Sequence, residues 1–269
     1  MQHLQAVMFD WAGTVVDFGS FAPTTIFVEA FKREYDFAIS LAEARVPMGL
    51  GKWDHIKAVG ELPEVAARWE ARFGRPMQHE DIDKIYQTFM PLQVKKVGEH
   101  ADLIPGAKAV IDGLREQGLK IGSCTGYPRV VLDALLPAAK ANGYSPDCAV
   151  ATDDLKAGGR PAPYMLLQNM LELAVSDVKA CVKVDDSVPG ITEGLNAGMW
   201  TVALLLSGNE AGLTQAEFEV ADEATLAAAR VKAQDAFAHS GAHYQIDTIA
   251  DLPSVIADIE QRLANGERP

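Results

Sequence analysis

The chain has 269 residues, 48% hydrophobic and 23% charged, the make-up of a globular protein long enough to bury a full core, which excludes a disordered or fibrous chain. Aspartate and glutamate number 37 against 24 lysines and arginines, a net charge of −13 with no basic run, which argues against nucleic acid or an anionic membrane as partner. Cys124, Cys148 and Cys181 show no CxxC spacing, which argues against a disulfide framework or a zinc site; with no leader-like start and no apolar run long enough to span a bilayer, a cytoplasmic protein is expected.

Residues 5–9 form an apolar run that meets Asp10, and Ala12, Gly13 and Thr14 then supply small residues for a sharp turn, so the pattern predicts a buried strand ending at Asp10. From residue 20 to 99 the character changes. Apolar residues recur at helical spacing around 25–37, 63–73 and 80–97, with no strand alternation between them, as in a helical insertion. Beyond Pro105 and Gly106 the pattern reads helix (107–117), strand (119–124), turn (125–128) and helix (129–142). Further strands are expected at 148–152, 180–184 and 200–206, each followed by a polar or glycine-containing turn, as in βαβ units around a parallel sheet. The tail predicts helices at 223–239 and 250–264 with a short strand near 243–246 between them. The expected fold is a doubly wound, Rossmann-like α/β core from residues 1–19 and 100–269, with a helical cap inserted at 20–99.

In an open parallel sheet the site forms beyond the carboxyl ends of the strands. Asp10 follows the first predicted strand, Thr125 the second, Asp153 and Asp154 the third, and Asp185 and Asp186 the fourth. Any one of these carboxylates has a plain structural use as a helix cap or turn residue. Together they fit another chemistry: Asp10 and Asp186, from neighbouring strands, can hold a hard cation that also meets a phosphoryl oxygen, while Thr125 and adjacent backbone N–H groups surround the remaining oxygens.

Four ordered segments resemble the four motifs of the haloacid dehalogenase-like superfamily: Phe9-Asp10-Trp11-Ala12-Gly13-Thr14, Ser123-Cys124-Thr125-Gly126, Gly159-Arg160-Pro161 and Val184-Asp185-Asp186-Ser187. The match runs from residue 5 to about 206. The opening motif, the block Pro47-Met48-Gly49-Leu50-Gly51-Lys52 with His55, and residues 196–201 narrow the resemblance to the phosphonatase family. That resemblance implies an Asp10 nucleophile and Mg²⁺ held by Asp10, the Ala12 carbonyl and Asp186. It also implies a phosphoryl group met by Thr125, Gly126 and Arg160, a small phosphonate substrate and a homodimer. Met48 and Tyr127 are expected to shape the pocket wall. One departure stands out: the common fourth motif has glycine before its first aspartate and another aspartate four positions after it, where this chain has Asp185 and Gly190. Asp186 is therefore assigned to the metal, and Asp185 is left between an outer contact and a helix cap.

Ala12 and Lys52 bear on the chemistry. Phosphate-ester members of the superfamily usually carry a second aspartate at the position of Ala12, which protonates the departing alkoxide. Alanine cannot. Cleavage of a carbon–phosphorus bond instead leaves electrons on carbon and needs an electron sink, which a lysine amine condensed with a neighbouring aldehyde provides as an iminium ion. Lys52 is the expected amine, with its pKa lowered by burial or a neighbouring cation, and His55, three residues on, is the expected proton carrier. The expected reaction is hydrolysis of phosphonoacetaldehyde through a Lys52 Schiff base and an Asp10 aspartyl phosphate. Two alternatives stay open: a phosphatase acting on a small ester with Lys52 only binding substrate, and a non-catalytic phospholigand-binding protein. Arg160 has the alternative of a loop ion pair with Asp153 or Asp154. Cys124 is expected to be a small buried hydrophobe.

Overall fold

The computed structural model describes residues 3–269. The strand Ala6–Phe9 (β1) is buried throughout, and its side chains divide alternately between two cores, Val7 and Phe9 on one face and Ala6 and Met8 on the other. A strand apolar on both faces belongs at the centre of a parallel sheet. It pairs in parallel with Lys120–Thr125 (β2) on one side and Cys181–Asp185 (β4) on the other. Cys148–Ala151 (β3) extends the sheet beyond β2, and Trp200–Leu204 (β5) and Tyr244–Ile246 (β6) extend it beyond β4, all in parallel. Among the described residues the sheet has six strands in the order β3-β2-β1-β4-β5-β6. The order reverses at β1, so the crevice of a doubly wound sheet opens where β1 delivers Asp10. Strands β2 and β4 each run one residue past their expected ends, which makes Thr125 and Asp185 the last residues of their strands.

Between β1 and β2 the chain leaves the sheet for Phe21–Tyr35 (α1), Leu41–Arg45 (α2), Lys52–Glu61 (α3), Pro63–Phe73 (α4) and His79–Lys96 (α5). These helices bury an apolar cluster of their own, including Phe27, Phe31, Trp69 and Phe89. Three helices were expected here. The short α2 is set by a capping box in which the Ser40 hydroxyl accepts from the Glu43 N–H and the Glu43 carboxylate accepts from the Ser40 N–H. Helix α3 escapes a periodicity reading for a chemical reason: its inward positions Lys52, His55, Ile56 and Val59 have helical spacing, but two of the four are a lysine and a histidine.

On the Val7/Phe9 face the sheet is covered by Ala107–Glu116 (α6), Arg129–Ala141 (α7) and Leu252–Ala264 (α12), through residues such as Ile111, Leu132 and Ile259. On the opposite face lie Tyr164–Glu172 (α8), whose Met165 and Leu166 share a core with Met8, and Val188–Ala197 (α9), which crosses β4 and β5. Gln215–Val220 (α10), which the sequence pattern did not reveal, and Glu223–Phe237 (α11) follow β5. No helix among the described residues is long and apolar enough to cross a membrane.

Candidate active site

The Asp10 N–H still donates to the Val184 carbonyl of β4 (3.1 Å), and the chain then turns so that the N–H groups of Thr14, Val15 and Val16 converge on the Trp11 carbonyl. Trp11 anchors this turn with a fully buried ring whose indole N–H donates to the Ser123 hydroxyl. Gly13 has φ 79°, and a Cβ there would lie 2.0 Å from Asp186 Oδ2, so only glycine lets the turn pass beside that carboxylate.

A narrow cleft opens at these strand ends. Asp10, Ala12, Thr125, Gly126, Tyr127, Arg160 and Asp186 line it from the sheet side, and Met48 and Lys52 from the helical insertion. The insertion reaches this far because the backbone of residues 49–50 lies directly on Gly126, where a Cβ would sit 2.7 Å from the Leu50 carbonyl oxygen. Of the residues expected in the site, His55 alone does not line the cleft. Its ring is fully buried, stacked on Phe27 at 3.8 Å between centroids, and Nε2 donates to the Ala44 carbonyl (2.8 Å), which leaves Nδ1 unprotonated and unpartnered. Burial, with the Lys52 charge nearby, holds its pKa well below the ordinary histidine value.

Lys52 opens α3 and is only 4% exposed, with Nζ 5.0 Å from the Tyr127 ring centroid and 5.6 Å from that of Phe27. Burial lowers its pKa from 10.5 to about 8; Arg160 adds to the depression, while Asp10 and Asp186 oppose it. Its place at a helix N-terminus also disfavours the cation. About one such amine in ten is neutral at pH 7, against one in a few thousand for a solvated lysine.

Burial raises the Asp10 carboxyl to about 6 even though Arg160 donates to it, Nη2 to Oδ1 at 2.7 Å. Arg160 does not take the loop ion pair with Asp153 or Asp154. Those two serve Arg129, whose backbone N–H donates to Asp153 (2.7 Å) and whose guanidinium pairs with Asp154. Burial works against the Arg160 charge, but Asp185, Asp10 and Glu193 outweigh it and hold the guanidinium firmly protonated.

Asp185 and Asp186, adjacent in sequence, have different surroundings. Asp185 pairs with Lys183 (2.8 Å) and Arg160 (3.1 Å), and Oδ1 accepts from the Ser187 hydroxyl (2.7 Å). The cap of α9 is Ser187, whose hydroxyl accepts from the Gly190 N–H, so Asp185 is an outer contact and not the cap. Asp186 has no cationic side chain paired with it among the described residues, and Oδ2 accepts from the Asn209 N–H (2.8 Å). Burial, then repulsion from Asp10 and Asp185, drives its pKa well above the carboxylate range. Oxygens of Asp10, Asp185 and Asp186 lie within 4.8 Å of one another. Of the three, Asp186 is the one with no cation paired to it among the described residues, and with the neighbouring Asp10 it offers hard oxygen donors that fit a cation of the Mg²⁺ class.

Sequence reasoning missed Ser20 and Pro23 in the cleft wall and Glu193 and Lys183 behind it, and gave no role to Gly49 and Ser187, which lie within the quoted motifs and also line the cleft. Lys183 had a signal, being a charge inside the otherwise apolar strand 181–184. Cys124 is more than a buried hydrophobe: Sγ accepts from Lys183 Nζ (3.0 Å) and the thiol faces Glu193, with burial pushing its pKa up to about 12.

Residues 4–198 match the family model of haloacid dehalogenase-like hydrolases. Phosphonoacetaldehyde hydrolase of Vibrio parahaemolyticus is 67% identical over 99% of this chain and 98% of its own length, and that of Psychromonas ingrahamii 66% identical over 99% and 90%. The crystal structure of a phosphonoacetaldehyde hydrolase-like protein from Oleispira antarctica superposes with a TM-score of 0.95 at 44% identity, covering 99% of this chain and 96% of that one. The parallel sheet, the strand-end carboxylates and these relatives agree: the chain belongs to the haloacid dehalogenase-like hydrolases, on their phosphonoacetaldehyde hydrolase branch.

Proposed function

We propose that the protein hydrolyses the carbon–phosphorus bond of phosphonoacetaldehyde to acetaldehyde and phosphate. The observation that carries this reading is a buried amine with a depressed pKa, Lys52, in one cleft with Asp10 and with alanine where an ester-cleaving enzyme needs an acid. Residues 20–99 act as the cap that brings Met48 and Lys52 to the core. Lys52 condenses with the aldehyde and releases water, giving an iminium ion. Asp10 then attacks phosphorus; the carbon–phosphorus electrons move into the iminium to form an enamine, and Asp10 carries the phosphoryl group as an acyl phosphate. Water hydrolyses the acyl phosphate. The enamine takes a proton at carbon, and a second water frees acetaldehyde and restores Lys52.

Arg160 offsets charge on the phosphoryl oxygens, its planar fork suiting that role, while Thr125 and Gly126 line the wall that receives them. Asp10, the Ala12 carbonyl and Asp186 would hold Mg²⁺, which when bound supplies Lewis-acid stabilisation of that charge. Tyr127 and Met48 confine the aldehyde end beside Lys52. His55, outside the cleft, keeps a proton role only through Lys52. A homodimer in the cytoplasm belongs to the same proposal.

A product assay of phosphonoacetaldehyde beside p-nitrophenyl phosphate tests this reading. Acetaldehyde and phosphate should appear in equal amounts, and ester turnover should be lower by about 10²–10⁴, the usual contribution of a general acid. Rapid ester cleavage with an untouched phosphonate would establish the phosphatase instead. Treatment with EDTA should remove turnover and Mg²⁺ should restore it, with Asp186→Ala unresponsive to added Mg²⁺. Full activity in rigorously chelated protein overturns the cation assignment.

A further inference from the structure

The loop that follows β5 fastens several parts of the molecule to one another. The Ser207 hydroxyl donates to the Gly13 carbonyl (3.2 Å) in the turn after Asp10, and the Ser207 carbonyl accepts from the Gly19 N–H (2.8 Å) just before α1 begins. Contact here is too close for larger residues: a Cβ at Gly208 would lie 2.4 Å from Asp186 Cβ, and one at Gly19 would lie 2.2 Å from the Leu213 carbonyl oxygen. Asn209, only 1% exposed, serves two neighbours at once. Its main-chain N–H donates to Asp186 Oδ2 (2.8 Å). Its side-chain amide is taken up by Arg45, the last residue of α2: Oδ1 accepts from Arg45 Nη1 (3.2 Å) and Nδ2 donates to the Arg45 carbonyl (3.1 Å).

Arg45 is spent on neutral partners. Nη1 also donates to the Gly19 carbonyl (2.7 Å) and the Asn209 carbonyl (3.2 Å), and the guanidinium lies 4.5 Å from the Phe21 ring centroid. The planar fork makes these bonds directional, so the side chain acts as a fastener between α2 and the loop and not as a neutralised charge. Neither Arg45 nor Asn209 lines the cleft.

We propose that Arg45 and Asn209 are positioning residues that couple the seating of the cap to the cation site. With the cap seated, Arg45 grips the Asn209 side chain, and the Asn209 N–H holds Asp186 Oδ2 in the direction a cation requires. Both contacts belong to one residue, so the coupling passes through a single buried side chain and its own backbone. The inference rests on the proposed function in taking residues 20–99 as a cap and Asp186 as a cation ligand.

The test titrates Mg²⁺ calorimetrically, without substrate, into the parent, Arg45→Ala, Arg45→Lys, Asn209→Ala and the double variant Arg45→Ala/Asn209→Ala. Charge and coupling predict opposite signs. The Arg45 cation interacts favourably with Asp186, so by charge alone its removal should leave more negative potential for Mg²⁺ and tighten binding. Coupling requires weaker binding, by at least about fivefold in Arg45→Ala and in Asn209→Ala, with the double variant no weaker than the weaker single because both break the same link. Arg45→Lys keeps the charge and loses the fork, and it should also weaken binding at least about threefold, so a misfolded Arg45→Ala does not decide the matter. Linkage is reciprocal: Mg²⁺ should slow hydrogen exchange in α2 of the parent and leave it unchanged in Asn209→Ala. Mg²⁺ affinity that is parental or tighter in Arg45→Ala and Asn209→Ala overturns the proposal, as do fully additive losses in the double variant or exchange in α2 that ignores Mg²⁺ in the parent. Lower melting temperatures with parental Mg²⁺ affinity make the contact merely structural and overturn it too. If the parent binds no Mg²⁺, the cation assignment itself falls and takes the coupling with it. If the parent binds Mg²⁺ but leaves phosphonoacetaldehyde intact, only the proposed reaction falls, and the titrations still decide the coupling.

Discussion

Lys52→Arg should cut carbon–phosphorus cleavage by at least about 10³-fold while leaving inorganic phosphate affinity within a fewfold of the parent. Arginine keeps a positive charge beside the Tyr127 and Phe27 rings, so the site's electrostatics change little. It loses the one thing the proposed reaction needs, an amine that can shed its proton and condense with an aldehyde. Borohydride added during turnover should inactivate the parent protein and leave an adduct on the peptide containing Lys52. With the Lys52 pKa near 8, kcat/KM should rise about tenfold per pH unit between 6 and 7 and level off above about 8. The sign follows from the neutral amine being the reactive form: burial lowers the pKa, so activity is gained as pH rises through that value. A near-parental rate for Lys52→Arg, or trapping on Lys57, would remove the Schiff base from the mechanism.

The sheet was legible because its central strands are short apolar runs punctuated by turn residues, and because a run such as 6–9 that is apolar on both faces belongs inside a parallel sheet. The strand-end residues Asp10, Thr125 and Asp186 followed from that placement. Helix α3 was harder, since the residues it turns inward include Lys52 and His55, and function had replaced the apolar signal on which periodicity depends. The position of His55 was legible only in part: spacing put it on the same helix face as Lys52, as found, but which ring it stacks on is fixed by Phe27 of α1, far away in sequence. The difference between Asp185 and Asp186 was equally hidden. It depends on Lys183, Arg160 and Glu193, which only the packing of α9 on β4 and the 160 loop brings together.

Asp10→Asn should lower turnover by at least about 10⁴-fold, because it replaces the attacking carboxylate with an amide of nearly the same shape. The fold should not suffer. In cation-free protein the buried Asp10 carboxyl titrates near 6, above its unfolded value of 3.8, so its ionised form is disfavoured in the native state and its stability contribution is lost as pH rises from 3.8 through 6. An uncharged asparagine escapes that cost, so in EDTA at pH 7 the variant should melt at the parental temperature or above it, as expected where a functional site stores unfavourable charge. The same variant separates the two covalent steps. Lys52 is untouched, so phosphonoacetaldehyde should still condense with it, and borohydride should trap an adduct that retains the phosphono group because the carbon–phosphorus bond has not been cut. In the parent, the adduct trapped during turnover should include the form that has lost that group. A dephosphonylated adduct accumulating on Asp10→Asn at the parental rate would mean that another group attacks phosphorus, and Asp10 would then be left with cation binding alone.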